Sequence, residues 1–519
     1  MPGPCFIPPP TTPPTTTMFL SFGLNKVVKI FRGHRGAVAS INSLPVETLS
    51  EIFLFTVLGD PSTDRCAKTL KSCTWVCRRW RQVALDDSRL WGLAINPEDS
   101  RDWMKEMLLR SKNTPFRIDF YHRSLELELP SPRCEVTTQN VLLAMQSMHR
   151  VSHFRIAAPS RLCLQLLSKL TQSLPTLSLI HVTNSDQRHF FRDDPAPHLP
   201  AGFFMLDAPE LDAFSITDWN FNWDLFKFAS LTQLHVVFSD THRASRPTFQ
   251  QLSLVLAKLP LLTAVSLMNI LPANVPVVTS PRISLQYLER LGLEGRVQEC
   301  TDFLNILEHP AYTAIHLICH DTPFPFSAHT PIVSIIRDRF SDHQPRAVSL
   351  DFGPYYFYLQ ASSDESDEVG TVQEAIRLEF QWDLFPETQT PDSVDFLPLA
   401  LVLPSGDVDV LCITGHSGLT ISTSMWNVLL SQFKEIEALE LCGVPLLGLL
   451  PLLLAATHGF LPRLKTINAL LASSDDQAII NRFINDRRKA IVKRFIEERR
   501  DSDYEEGEEG GGAMMEPWW

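Results

Sequence analysis

The sequence predicts a mainly α plus α/β protein: a small module of three helices near the N-terminus, followed by an irregular solenoid of strand–helix repeats. Between positions 43 and 95, apolar residues recur at helical spacing. From about position 110 onward, a short strand pattern of apolar-x-x-apolar-x-apolar returns many times. A chain of 519 residues is too long for one compact core, so several domains or an extended array are expected.

The composition is that of a folded, soluble chain. Apolar residues make up 44% and charged residues 20% of the sequence, which are ordinary globular values. Eight acids in the stretch 497–509 supply much of the net charge of −13, and no basic surface that would bind nucleic acid is indicated. No run of 18 apolar residues and no signal-peptide core are present. We therefore expect a cytoplasmic or nuclear protein without a membrane partner.

The two ends differ from the middle of the chain. Residues 1–40 contain a Pro/Thr-rich stretch and are predicted to be a disordered leader. Residues 476–500 alternate apolar and basic positions at helical spacing, which predicts a helix that caps the last repeat. The acidic and glycine-rich residues 501–519 are predicted to be a disordered tail.

Residues 41–96 carry the predicted helical module. Leu44-Pro45 opens the first helix, since proline is tolerated in a first turn, and the turn at 59–62 ends it. A second helix is predicted to continue through Trp80, and a third short element ends near Leu93. The positions predicted to share an apolar face are Leu49, Ile52, Phe53 and Val57 on the first helix and Leu70, Cys73, Val76, Cys77 and Trp80 on the second.

Residues 110–475 carry the strand pattern. Most steps between units are 20 to 34 residues, the range of leucine-rich repeats, and one such unit must stack on neighbours to bury its apolar face. Proline ends the preceding helix in five units, at Pro175, Pro209, Pro260, Pro310 and Pro462. The units begin at Val151, Leu177, Leu211, Leu231, Leu262, Leu288, Tyr312, Ile436 and Leu464.

The repeat region is irregular. The regular asparagine position of strict leucine-rich repeats is missing, and between 318 and 430 only Val348–Leu350 and Leu411–Ile413 indicate strands. An irregular insert is predicted near 355–400. Trp219, Phe221 and Trp223 follow a strand, so either core packing or an aromatic ligand-binding loop is compatible with their position.

The helical module resembles an F-box. The resemblance is carried by Leu44-Pro45-Val46-Glu47, then Ile52-Phe53, then Val76-Cys77-Arg78-Arg79-Trp80 about 25 residues later, and finally Trp91. The whole layout is similar to that of fungal F-box proteins with a degenerate leucine-rich tail. The chain departs from the family at Thr48, where an aliphatic residue is commoner, and in the length of its 59–65 link.

The resemblance implies a role and a set of partners. F-box modules bind the Skp-type adaptor of cullin-based (SCF-type) ubiquitin ligases, while the C-terminal domain recruits a protein substrate for ubiquitin-dependent degradation. The residues implied at the adaptor surface are Leu44, Pro45, Ile52, Phe53, Val76 and Cys77, and those implied in the module's core are Leu49, Trp80 and Trp91. Apolar helix faces of so small a module are suited to completion by a partner's helices.

No catalytic, metal or cofactor residues are predicted. Asp351-Phe352-Gly353 lacks the companion kinase motifs, and Gly415-His416-Ser417-Gly418-Leu419 fails the nucleophile-elbow pattern at its fifth position. The ten cysteines are scattered and indicate reduced thiols. Besides a non-catalytic ubiquitin-ligase adaptor, the residues leave open a leucine-rich interaction scaffold with no ubiquitin-ligase role and, last, an enzyme on a repeat framework.

Overall fold

The computed structural model describes residues 43–58, 63–121, 132–170, 173–186, 195–239, 245–273, 282–320, 345–352, 356–362, 374–381, 408–415, 421–443, 446–455, 460–470 and 476–486. These residues fall into two compact units. The first lies within Met1–Leu293 and Ile306–Pro310, and the second within Glu294–Asn305, Ala311–Ser366 and Val372–Trp519. The predicted leader 1–40, the turn 59–62, the part of the predicted capping helix beyond 486 and the tail 501–519 lie outside the described residues.

The first unit begins with helices and continues with strands and further helices. Its helices are α1 Val46–Leu58, α2 Thr63–Val76, α3 Arg78–Asp86, α4 Ser88–Leu93, α5 Arg101–Arg110, α6 Pro132–Ala144, α7 Ser160–Leu167 and α8 Phe249–Ala257. Its strands are β1 Phe116–Tyr121, β2 Val151–Ala158, β3 Leu179–Asn184, β4 Ala213–Thr217, β5 Gln233–Val237, β6 Ala264–Met268, β7 Ile283–Ser284, β8 Arg290–Arg296, which begins in this unit, and β9 Leu307–Glu308.

Strands β1 to β6 form a parallel sheet in chain order, and β8 follows β6. The strand pattern explains this sheet, because its last two apolar positions are two apart and point to the same face. Phe154 and Ile156 are fully buried on β2, for example, while His153 and Arg155 on the other face are half-buried. The first apolar position is buried in the turn before its strand in most units, as for Leu177, whereas Val151 lies within β2 and Tyr312 is 59% exposed.

The second unit has strands β10 Ala314–His320, β11 Ala347–Phe352, β12 Tyr356–Ser362, β13 Glu374–Gln381, β14 Val410–Gly415, β15 Ala438–Cys442 and β16 Thr466–Leu470. They lie in the order β10-β13-β12-β11-β14-β15-β16. Strand β12 is antiparallel to both neighbours, and the remaining pairs in this series are parallel. Its helices are α9 Val297–Ile306, α10 Thr423–Gln432, α11 Leu450–Ala455 and α12 at 476–486.

All predicted strand units are strands, but the structure differs from the sequence predictions elsewhere. The irregular insert predicted near 355–400 contains β12 and β13, which the weak pattern there did not reveal. The sequence predicts three N-terminal helices, but the structure contains four, because the second predicted helix is interrupted at Cys77. Its backbone is extended (φ −158°, ψ 171°), and its thiol accepts a hydrogen bond from the backbone N–H of Trp80, 3.5 Å away, as a cap for α3.

Buried polar side chains at strand ends replace the missing asparagine pattern. Asn184 is such a side chain at the end of β3, where its Nδ2 donates a hydrogen bond to the carbonyl of Asp218, 3.4 Å away. Asn269, just after β6, donates to the carbonyl of Phe238 over 2.9 Å. Because buried backbone groups must find partners, these bonds tie neighbouring turns together without a regular sequence repeat.

Arg150 joins the helical N-terminus of the first unit to its sheet. This buried residue immediately precedes β2, and its guanidinium donates to the Ser111 hydroxyl (2.6 Å) and the Thr114 carbonyl (2.9 Å) just after α5. The same group lies 5.1 Å from the ring centre of Phe116. Ser88 on α4 adds a hydroxyl hydrogen bond of 2.7 Å to Thr114. The helices are thereby held against the first strand.

Replacing Arg150 with alanine should destabilise the first unit. The change leaves the Thr114 carbonyl and the Ser111 hydroxyl without this donor, which costs about 1–3 kcal/mol. Urea unfolding of the full chain, followed by tryptophan fluorescence, measures the loss. Arg161→Ala is the matched control, because Arg161 is exposed on α7. Equal midpoints for the two variants would contradict a joining role for Arg150.

Candidate protein-docking site

The four N-terminal helices share one small core. Leu49, Phe53 and Val57 recur along one side of α1 and are at most 1% exposed. The ring of Phe53 lies 4.9 Å from the ring of Trp80 on α3. Trp91 on α4 is buried, and its Nε1–H donates to the carbonyl of Ala84 over 2.8 Å. These contacts form the module's interior, and Trp91 also packs against Trp103 on α5, with ring centres 5.8 Å apart.

Other apolar side chains of α1 and α2 remain at the surface. They are Val46, Ile52, Phe55, Leu58, Trp75 and Val76, here called the exposed apolar residues. Phe55 is 72% exposed and Trp75 is 78% exposed. Ile52, Phe55 and Leu58 are spaced by three residues, so they share a side of α1 distinct from the core side. The exposed side of α1 is therefore a candidate surface for contact with another protein.

The residues predicted for this site divide between surface and core. Ile52 and Val76 are 39% and 59% exposed, and Pro45 is exposed as well. Leu44 is half-buried, and its carbonyl accepts a hydrogen bond from the Arg79 guanidinium.

The other two predicted docking residues have local structural roles. Phe53 is 1% exposed and packs on Trp80, so its side chain belongs to the core and is not available at the surface. Cys77 is half-buried as the cap of α3. Of the predicted core residues, Leu49 and Trp91 are buried, and Trp80 is half-buried against Phe53.

Phe55 and Trp75 were not predicted from the sequence. Helical spacing assigned only one apolar face to α1, and Phe55 lies outside it. Its spacing of three from Ile52 was the available signal for a second face. Trp75 precedes the break at Cys77, which shifts Val76 to the surface as well, and this break is not visible in apolar periodicity.

A charged cluster fixes the start of α4 against α1. Arg89 donates to Asp87 over 2.9 Å and to Glu51 over 2.7 Å, and the Ser50 hydroxyl donates to Asp87. Burial alone would raise the pKa of Asp87, but hydrogen bonds from Arg89 and Ser50 hold that pKa below its usual value. The cluster therefore orients α4 and Trp91 relative to α1.

Neither a metal-binding cluster nor a membrane-spanning helix is found in the part of the chain that the structure describes. No group of three His, Cys, Asp or Glu side chains there is arranged to hold a metal ion. No helix there is long and apolar enough to cross a bilayer. Trp219, Phe221 and Trp223 are at most 4% exposed, and Phe221 stacks near Trp223 at 4.4 Å, so these aromatics belong to the core.

Comparison with known proteins identifies the helical module. Residues 41–92 match the family model of F-box-like domains, about a tenth of the chain. No curated protein matches the sequence. Among solved structures, the crystal structure of the Rad7 and Elc1 complex in yeast has a TM-score of 0.33 and 11% identity, covering 90% of this chain and 100% of that chain. A likeness so weak carries no argument about this chain.

Substitutions of Phe53 and Phe55 test the buried and the exposed side of α1 separately. Phe53→Ala should lower the stability of the module by about 3–5 kcal/mol, because it removes a buried ring. Phe55→Ala should change stability by less than about 0.5 kcal/mol, since that ring is exposed. Hydrogen exchange of the α1–α3 amides in the full chain reports local stability. Similar acceleration in both variants would refute the assignment of the two faces.

Proposed function

We propose that this protein is the substrate-recruiting adaptor of a cullin-based ubiquitin ligase. Its F-box-like domain docks on a Skp-type adaptor and, through it, on a cullin, while the strand–helix region binds a protein substrate. The chain contributes proximity, because holding a substrate near the transfer machinery raises its effective concentration. Catalysis in this proposal belongs to other subunits, in the cytoplasm or nucleus.

One observation carries the proposal: α1 and α2 contribute to a packed core and still expose other apolar side chains. Phe55, Trp75 and Val76 are each more than half exposed, within the segment that matches F-box-like domains. Burying such groups under a partner's helices is favourable by roughly 25 cal/mol for each Å² of apolar surface. Large aromatic side chains are also the residue types that dominate binding energy at interfaces.

The proposal also assigns a structure and a binding role to the region 110–475. We interpret the region 110–475 as a degenerate leucine-rich-repeat solenoid, capped by a helix that begins at 476. The parallel order of β1 to β6 and the buried first apolar position of most units support this interpretation. In stacked repeats, the strand face that is turned away from the core is available to a partner.

A leucine-rich interaction scaffold with no ubiquitin-ligase role is the second candidate. The same strand–helix repeats favour it, since they lie outside the segment that matches F-box-like domains. The two candidates differ in whether the exposed apolar residues of α1 and α2 bind a Skp-type adaptor.

Binding to a purified Skp-type adaptor tests the proposal. The full chain should bind, and Phe55→Ala or Trp75→Ala should weaken binding by about 2 kcal/mol, the size expected of an interface anchor. The double variant Leu44→Ala with Pro45→Ala should also bind less, since Pro45 is exposed at the start of α1. Calorimetry or biosensor titration gives the dissociation constants.

Leu109→Ala is the matched control for this experiment. Leu109 is 73% exposed on α5, outside the segment that matches F-box-like domains, so its loss should leave adaptor binding unchanged. If neither the wild-type chain nor any variant binds the adaptor, the scaffold function replaces the adaptor function. Equal binding by wild type and by the Phe55 and Trp75 variants would remove α1 and α2 as the docking site.

A further inference from the structure

A continuous row of polar side chains crosses the sheet of the first unit. Cross-strand pairing places Asp119, Arg155, His181, Ser215, His235 and Ser266 side by side on β1 to β6, here called the polar row. Neighbouring strands are about 4.8 Å apart, so the row is roughly 24 Å long, the span of about seven extended residues. A row of this length is suited to an extended peptide lying across the strands.

The polar row belongs to the face of the sheet opposite the helices. Helix α7 packs on β2 and β3, and its Cys163 and Leu166 are fully buried. The polar row is half-buried, neither sealed in the core nor fully exposed. Within it, His181 is hydrogen-bonded to Ser215 over 2.9 Å and to Thr183 over 3.0 Å. These bonds hold the side chains in place before any ligand arrives, which limits the entropy lost on binding.

Positive charge gathers at the β1–β2 end of this face. Arg117, which is exposed, shares its side of β1 with Asp119, and Arg155 lies beside them on β2. The Arg155 guanidinium forms a long ion pair with the Asp119 carboxylate, at 4.0 Å, without a direct hydrogen bond. Arg290, at the start of β8, is a further exposed cation. On the outward face of β1 to β6, the described residues carry the guanidiniums of Arg117 and Arg155 against the one carboxylate of Asp119, whereas on β8 Glu294 shares the face of Arg290.

Burial, with a smaller effect of nearby arginines, lowers the pKa values of the histidines on this face. Burial, together with Arg117 and Arg155, lowers the pKa of His153 to about 4. Burial and Arg155 lower the pKa of His181, and burial, Arg290 and His181 lower that of His235. These imidazoles are therefore neutral at pH 7 and can both donate and accept hydrogen bonds. Arginine is suited to bidentate binding of a carboxylate in such a setting.

We propose that this face binds an acidic peptide segment, with a glutamate or aspartate carboxylate held by Arg155 and Arg117 and the peptide extended along the polar row. The inference rests on the proposed substrate-recruiting role of the repeat region and names the chemical class of that substrate. The neutral histidines and serines of the row supply hydrogen bonds to the peptide's polar groups. The Arg pair supplies the charge selectivity.

Peptide binding to the full chain tests this inference. The probe is a fluorescent peptide of alternating Glu and Ser long enough to cross the row, titrated by fluorescence anisotropy at low and high salt. The control peptide has Gln in place of every Glu. The wild-type chain should bind the Glu peptide, more weakly as salt increases, and should not bind the Gln peptide.

Arginine variants locate the binding face. Arg155→Gln and Arg117→Gln should each weaken binding by about tenfold or more, the effect of losing one charge-assisted contact. Arg155→Lys should retain more affinity than Arg155→Gln because it keeps the charge. Arg161→Gln removes the same charge from the helix side of the sheet and should leave affinity unchanged. Arg117 is exposed, so its variant stays informative if Arg155→Gln proves unstable.

The outcomes separate this inference from the adaptor function. Equal affinity for the Glu and Gln peptides, no binding of either, or an equal effect of Arg161→Gln and Arg155→Gln would overturn it. Single-stranded RNA binding as tightly as the Glu peptide would also overturn it, since that result indicates general polyanion capture. The assay contains no Skp-type adaptor, so a chain that binds the adaptor but not the peptide loses only the acidic-substrate inference.

Discussion

The contact between Phe53 and Trp80 is the constraint on which the N-terminal module depends. It places the side of α1 that carries Leu49, Phe53 and Val57 in the interior, and a helix of that length can turn only one face toward a small core. Ile52, Phe55 and Leu58 are consequently left at the surface although they are apolar. The proposed docking function therefore follows from the geometry of one aromatic contact and not from apolar composition alone.

The link between module and sheet has a different physical basis. Buried apolar contacts hold the four helices together, whereas a buried guanidinium and a pair of hydroxyls hold them to the first strand. Buried polar bonds of this kind are directional, so they specify orientation more sharply than apolar packing does. In a recruiting protein, this connection would fix the distance between the docked adaptor and a substrate on the strand face of the first unit.

The two faces of the sheet in the first unit carry different types of side chain. Leucine, isoleucine and phenylalanine side chains fill the helix side, and a mixture of serine, histidine and arginine lines the other. Half-burial keeps the histidines neutral while leaving the guanidiniums charged. The outward face therefore combines fixed positive charge with neutral hydrogen-bonding groups, a combination suited to carboxylate-bearing partners.

The sequence by itself determined the F-box-like segment and the strands of the predicted units from Val151 to Leu464, because both depend on local spacing of apolar residues, whereas β1 was not among those units. Only the tertiary structure decided that Phe53 is core while Phe55 and Trp75 are surface, that Cys77 divides a helix, and that β12 and β13 lie between β10 and β11. The polar row likewise joins residues from six strands whose register no local pattern records. The physical reason is that periodicity specifies which side chains share a face, whereas packing between distant segments selects which face is buried.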